Sequence, residues 1–353
     1  MSVRGTSAGN ERQKTTDLVF QGGGVKGIGL VGAYSVLEER GYRPVNMAGA
    51  SAGAIVAALV AAGYSAEELR DIMMEIPFDK FMDEAWEDRI WLLARPLSLL
   101  KDKGVYEGKY FHDWIKELLS RKMGKDEVTF GDLRRDDVPE DADPVFRHRL
   151  QVIVSDVTKR RMVVLPRDYK DLGWAHPDLV PVALAVRMSM SIPIFFEPVP
   201  LVNQYTGLEH TIVDGGMLSN FPVWLFDAPH GQEAKRETFG LKLIQKDTRA
   251  QIAPQDFDLK SEFMRMLKRS ETLGYFWSLV ETMMEAHDRF YIEQEKFDKT
   301  IDIDTRGVGT TEFGLSPERK KELYESGREE AKKFLDRIEA VTPPDEAPAA
   351  SRP

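Results

Sequence analysis

The chain has 353 residues, 42% hydrophobic and 30% charged, enough for one large α/β domain or one domain with an appendage. A net charge of −10 argues against nucleic acid as a partner and against global attraction to anionic lipid, although a local basic face can still make a peripheral membrane contact. The absence of cysteine excludes disulfides and cysteine-ligated metal sites and fits a reducing, cytoplasmic compartment.

Residues 1–16 are polar, lack the apolar core of a signal peptide, and are expected to be disordered. Asp17-Leu18-Val19-Phe20 reads as a short buried strand. It runs into Gln21-Gly22-Gly23-Gly24-Val25-Lys26-Gly27, then into an apolar helix pattern from Ile28 to Leu37. A strand feeding a glycine loop at a helix start makes a nest of backbone N–H groups, suited to a phosphate or a tetrahedral oxyanion. Lys26 adds a positive charge beside it. Gly22, Gly24 and Gly27 also match G-x-G-x-x-G. A dinucleotide site wants an acidic residue at the end of the second strand, and that strand, Val45 to Ala48, ends in Gly49-Ala50-Ser51 instead. A Walker loop fails as well, because Gly27 follows Lys26.

Gly49-Ala50-Ser51-Ala52-Gly53 is a G-x-S-x-G elbow opening an Ala-rich helix, Ala52 to Ala62. A serine on such a turn has its hydroxyl lifted clear of the backbone at a helix N-terminus, which favours developing negative charge. Ser51 is therefore the candidate nucleophile, and Gly49 and Gly53 leave room for a substrate carbonyl. The helix is apolar all round and belongs in the core. Its run from Ala54 to Ala62 is far too short to span a membrane.

Residues 64–147 are richer in helix and charge, beginning with the capped start Ser65-Ala66-Glu67-Glu68. Trp86, Ile90, Trp91, Leu92, Leu93, Leu99 and Leu100 form an apolar cluster. A packed helical subdomain is the favoured reading; a lid or acyl-chain wall over Ser51 is the alternative. Gln151 to Ser155 and Met162 to Leu165 read as strands joined by a turn over Asp156 to Arg161. Thr211-Ile212-Val213 reads as a strand ending in Asp214-Gly215-Gly216, with Asn220-Phe221-Pro222 shortly after. An aspartate there is open on one side and can face Ser51, although Asp-Gly-Gly is also ordinary turn chemistry. Phe239 to Ile244 is a further strand. Phe276, Leu279, Val280, Met283 and Met284 recur at helical spacing, as core or an oligomer contact. Ser316-Pro317-Glu318 opens a last helix whose apolar face carries Leu323, Tyr324, Ala331, Phe334, Leu335 and Ile338. Thr342 to Pro353 is Pro/Ala-rich and expected to be disordered.

The order of the glycine loop, the G-x-S-x-G elbow and Asp214-Gly215-Gly216 resembles the patatin-like phospholipase family over roughly Asp17 to Phe226. Arg187-Met188-Ser189-Met190-Ser191-Ile192-Pro193-Ile194-Phe195-Phe196-Glu197-Pro198 looks like the segment preceding the Asp-Gly-Gly in that family. The resemblance implies a three-layer α/β/α fold with a central, mainly parallel sheet. The expected organisation is a catalytic domain over 17–250 with the helical insertion at 64–147, then a helical extension over 251–341 packed on it. It also implies lipid acyl-ester hydrolysis, of phospholipase A or lysophospholipase type, with no metal or organic cofactor. Ser51 is the implied nucleophile and Asp214 its base. Gly22, Gly23 and Gly24 are the implied oxyanion donors, with Lys26 where the family prefers a basic residue. A carboxylesterase, thioesterase or acyltransferase acting on soluble esters, and a latent effector opened by a partner, remain as alternatives. A Ser-Asp-His triad is the rival mechanism. His230 and His287 follow Asp214 in order, yet both read as surface residues, and His112, His148, His176 and His210 show no metal-ligand spacing.

Overall fold

The computed structural model describes residues 14–76, 104–106, 108–139, 142–227, 236–246, 275, 278–280, 282–284, 299–309, 312 and 314–341. The Trp86–Leu100 cluster, His230, His287, Phe276, most of the N-terminal segment and the C-terminal tail lie outside the described residues.

The first half alternates strand and helix: β1 (Lys14–Phe20), α1 (Gly27–Glu39), β2 (Tyr42–Gly49), α2 (Ala52–Ala61) and α3 (Ala66–Glu75). There follow β3 (Gly104–Tyr106), α4 (Lys109–Met123), α5 (Pro144–Arg147), β4 (Leu150–Asp156), β5 (Arg161–Leu165) and α6 (Val182–Ser189). The second half adds β6 (Ile194–Phe196), β7 (Val199–Val202), β8 (Glu209–Asp214), β9 (Glu237–Ile244), β10 (Thr300–Asp304) and α7 (Pro317–Val341). The main sheet has the order β10-β9-β1-β2-β4-β8-β7, with β5 also paired to β4. Pairing is parallel from β10 through β4 and antiparallel for β5, β8 and β7. β3 and β6 form a separate parallel pair.

Alternation along β1 explains the layers. Leu18 and Phe20 face the large core shared with α1, α2, α6 and α7, while Val19 faces a second cluster with Ile153, Val164, Phe221, Val223 and Phe226. Helical elements thus cover both faces of a mainly parallel sheet, the three-layer arrangement expected. The α3 start carries the full capping box, with Ser65 Oγ accepting the Glu68 N–H and Glu68 accepting the Ser65 N–H.

The segment expected to be a helical extension contains a strand. β10 pairs in register with β9, Thr300 opposite Gly240, and so completes the sheet edge. Ile301 and Ile303 are buried, whereas Asp302 is exposed; this alternation is short and bracketed by charge, which hid it in the sequence. α7 crosses α1 at very close range. A Cβ on Gly32 would stand 2.0 Å from Tyr324 O, and one on Gly327 2.0 Å from Gly29 O, so the crossing requires glycine at both positions. The Met-containing stripe is divided: Val280 and Met284 are buried, Leu279 and Met283 exposed.

Candidate active site

Register brings the two key residues level. Gly49 pairs with Val152, and two residues further along β4, Val154 pairs with Asp214. Ser51 lies just past the end of β2, and Asp214 ends β8. Ser51 has φ 51° and ψ −132°, a conformation that strains any residue with a side chain. Three features hold it there. Its N–H donates to Ser189 Oγ at 2.9 Å, and that hydroxyl donates to Ile153 O at 2.6 Å. The wholly buried α2 follows immediately. The flanking glycines permit backbone contact that no larger residue would: a Cβ on Gly49 would stand 2.4 Å from Gly53 O, and one on Gly53 2.1 Å from Phe20 O. Gly53→Ala is accordingly expected to cost about 3 kcal/mol, read from urea unfolding, because the obstacle is backbone and not a movable side chain.

Asp214 is completely buried. Its Oδ1 accepts the Gly216 N–H at 2.7 Å, its own N–H donates to Ser191 O at 2.9 Å, and its Oδ2 receives no hydrogen bond. Burial pushes the carboxyl up to about 7, against the opposing pull of the Gly216 N–H and the nearby Ser51 hydroxyl. The Ser51 hydroxyl itself points to Met190 Sδ at 3.7 Å. Ser51 and Asp214 are therefore neighbours, with the hydroxyl turned to sulfur instead of carboxylate. Gly215 has to be glycine, since a Cβ would fall 2.0 Å from Ile153 O. Gly216 packs under Met284, whose Cε is 2.9 Å from a Cβ placed there.

The glycine loop divides in role. The Gly22 N–H donates to Asn220 O at 2.9 Å, and Asn220 Nδ2 donates back to Gly22 O at 3.2 Å. This ties the loop to the segment after Asp214 and engages the Gly22 N–H, one of the three that the resemblance implies as oxyanion donors. No described residue accepts from the N–H groups of Gly23, Gly24 or Ala52. Gly24 sits at φ 57°, and Lys26 packs its Cε beside Gly23, half-buried at the loop's end.

A family model for patatin-like phospholipases matches residues 18–227. The chain belongs to the patatin-like phospholipase family. That family is one of lipid acyl hydrolases. The chain is 38% identical to the uncharacterized protein YqhO of Bacillus subtilis (strain 168) over 319 residues, 90% of this chain and 97% of YqhO. It is 23% identical to protein R571 of Acanthamoeba polyphaga mimivirus, over 91% of this chain and 94% of R571. VipD of Legionella pneumophila shares the fold, with a TM-score of 0.52 at 21% identity over 92% of this chain and 67% of VipD.

In this member of the family, sequence reading missed the individual roles of Ser189, Met190, Asn220 and Arg187. Three of them lie in or at the end of α6, within the Arg187–Pro198 segment that the resemblance singled out without assigning tasks. Buried Arg187 donates to Gly108 O at 3.1 Å, Ser191 Oγ at 2.6 Å and Glu197 O at 3.1 Å, and lies over the Phe196 ring. It pins the chain whose Ser191 carbonyl receives the Asp214 N–H. A buried arginine beside a serine pair was the available signal.

Proposed function

We propose that the chain hydrolyses acyl esters of glycerolipids, with phospholipase A or lysophospholipase specificity. Ser51 Oγ attacks the ester carbonyl while Asp214 Oδ2 takes the hydroxyl proton; the tetrahedral intermediate collapses as Asp214 returns that proton to the departing alcohol, and water, giving its proton to Asp214, then splits the acyl-enzyme into the free fatty acid and Ser51, which is reprotonated from Asp214. The N–H groups of Gly23, Gly24 and Ala52 hold the oxyanion, each worth about 2.7–4 kcal/mol in the barrier. Gly49 and Gly53 shape the elbow. Lys26 keeps the loop positive. The observation that carries this reading is the strained elbow serine beside a buried carboxylate oxygen with no other hydrogen-bond partner. For the reaction to begin, the Ser51 hydroxyl turns from Met190 Sδ to Asp214 Oδ2.

The catalytic unit on this reading spans 17–250 together with β10 and α7, with residues 64–147 as an insertion. No described helix is long and apolar enough to cross a membrane. The proposed setting is the cytoplasm, with peripheral contact at lipid. Complete burial of Ser51 and Asp214 favours a second element, a resting state that a surface or partner must open before lipid reaches the serine. The test compares phosphatidylcholine vesicles with short water-soluble esters. Release of fatty acid from vesicles, with kcat/KM at least tenfold above that for the soluble ester, supports the lipid reading. Turnover of the soluble ester alone transfers the function to a general carboxylesterase.

A further inference from the structure

Beyond Ser51 and Asp214 the sheet continues into a projecting end. Val152 of β4 meets Gly49 of β2 on one side and Leu165 of β5 on the other; two residues later, Val154 meets Asp214 of β8 and Val163 of β5. β8 therefore continues along the side of β4 that β2 leaves at the elbow. Val157, at the end of β4, lies three residues past Val154, about 10 Å further along the strand. Glu209, paired with Val202 of β7, lies five residues from Asp214, about 17 Å in the same direction.

This end is made of three segments tied together through main-chain groups. In the β4–β5 turn, the Val157 N–H donates to Thr211 O at 2.9 Å, and Thr158 Oγ1 accepts the Thr211 N–H at 2.9 Å. The loop of the β7–β8 hairpin is fixed to residues 171–173: Asn203 Nδ2 donates to Asp171 O at 3.1 Å and Gln204 Nε2 to Gly173 O at 2.9 Å. Arg161, at the start of β5, pairs with Asp171.

The side chains presented there are of two kinds. Among the described residues seven large apolar side chains are exposed, and three are on this end: Val157 at 53%, Val202 at 65% and Tyr205 at 64%. Lys159, Arg160, Arg161 and Lys170 are exposed with them. Among the described residues Lys159 and Arg160 pair with no carboxylate, and Lys170 lies over the Tyr169 ring at 5.6 Å. Asp171 is engaged by Arg161, Glu209 is the opposing carboxylate, and Asp156 is buried below the turn against His210 Nδ1 at 2.7 Å. Four cations thus meet two surface carboxylates on a chain of net charge −10. Exposed aliphatic and tyrosine side chains among unpaired bases match a layer that is anionic at its headgroups and apolar beneath them.

We propose that the Val157–Arg160 turn and the β7–β8 hairpin form a docking surface for an anionic lipid bilayer. The choice of a bilayer as partner rests on the proposed glycerolipid hydrolysis. Docked this way, the protein meets the headgroups with the end of the sheet that carries Ser51 and Asp214.

Sedimentation with phosphatidylcholine vesicles, carrying or lacking phosphatidylserine, tests the surface. The Ser51→Ala background keeps the lipid intact. Cosedimentation is expected with phosphatidylserine vesicles and should weaken as salt is raised. Lys159→Gln/Arg160→Gln should lower the vesicle affinity about tenfold or more. Val202→Ser/Tyr205→Ser should lower it about threefold or more and leave the salt dependence in place. These variants should fold, checked by circular dichroism, since the Lys159 and Tyr205 hydrogen bonds are made by their main-chain N–H groups and Val202 pairs through the ladder. Lys321→Gln/Lys332→Gln removes two exposed cations from α7, which packs on β10 at the far edge of the sheet, and should change the affinity less than twofold. Absence of cosedimentation overturns the proposal. So does affinity that survives Lys159→Gln/Arg160→Gln in a folded protein, or that falls equally with Lys321→Gln/Lys332→Gln. Hydrolysis is read separately, on wild type with phosphatidylcholine in detergent micelles. Fatty-acid release without vesicle binding removes the docking surface and leaves the hydrolase reading; binding that depends on Lys159 and Arg160 without fatty-acid release does the reverse.

Discussion

Ser51→Ala is expected to eliminate the adduct that a fluorophosphonate probe forms with the wild-type protein, and to lower ester hydrolysis by about 10⁴-fold or more. The effect should be large because, among the described residues, no other hydroxyl at the site shares its position. Ser189 Oγ is committed between the Ser51 N–H and Ile153 O, and Ser191 Oγ receives Arg187 while donating to Arg187 O. The variant should fold normally. Alanine keeps the N–H to Ser189 and loses only the hydroxyl contact to Met190 Sδ, and Ser51 makes no side-chain cap to α2. Intact mass spectrometry reads the result directly. An adduct of undiminished yield on Ser51→Ala would move the nucleophile elsewhere and end the proposed mechanism.

Asp214→Asn is expected to reduce kcat/KM by about 10³-fold or more while making the protein more stable at alkaline pH. Both effects come from one buried carboxyl, raised from 3.8 to about 7. As a base it works only when ionised, so wild-type kcat/KM should climb with pH through about 7 and level off above it, dropping to about one hundredth of the plateau at pH 5. The stability effect has the opposite sign. Between about pH 4 and 7 the native state keeps a proton that the unfolded chain has released, so stability falls as pH rises across that window. The rise to about 7 corresponds to on the order of 4 kcal/mol of buried-charge cost at pH 8. Asparagine preserves an acceptor for the Gly216 N–H and avoids that cost. The melting temperature of Asp214→Asn should exceed that of wild type at pH 8, and the gap should close toward pH 4. A variant no more stable than wild type at pH 8, together with a flat wild-type activity profile from pH 5 to 8, would show that Asp214 is not the titrating base.

The two effects express one arrangement. A weak carboxylate base becomes effective near neutral pH only when water is withdrawn from it, and withdrawing water destabilises the charged form. Asp214 is fully buried where β8 pairs with β4, with Met284 packed beside Gly216.

Much of this was legible in the chain because it is local. Three glycines after an apolar strand, a serine between small residues at a helix start, and Asp-Gly-Gly at a strand end each state a backbone requirement within a few residues. The Ser65 and Ser316 helix starts are local in the same way. What the sequence alone did not decide depends on which strands become neighbours. The Gly22 N–H is engaged by Asn220 O, 198 residues away. Ser189 supports the elbow across 138 residues, and β10 joins the sheet through a five-residue alternation too short to announce itself. His148 and Asp178 meet across 30 residues beside the bridge between Arg134 and His148. The residue types at the proposed site are read off the chain itself. Their protonation, their partners and their exposure were decided by packing, because desolvation and hydrogen bonding are set by neighbours that no local pattern specifies.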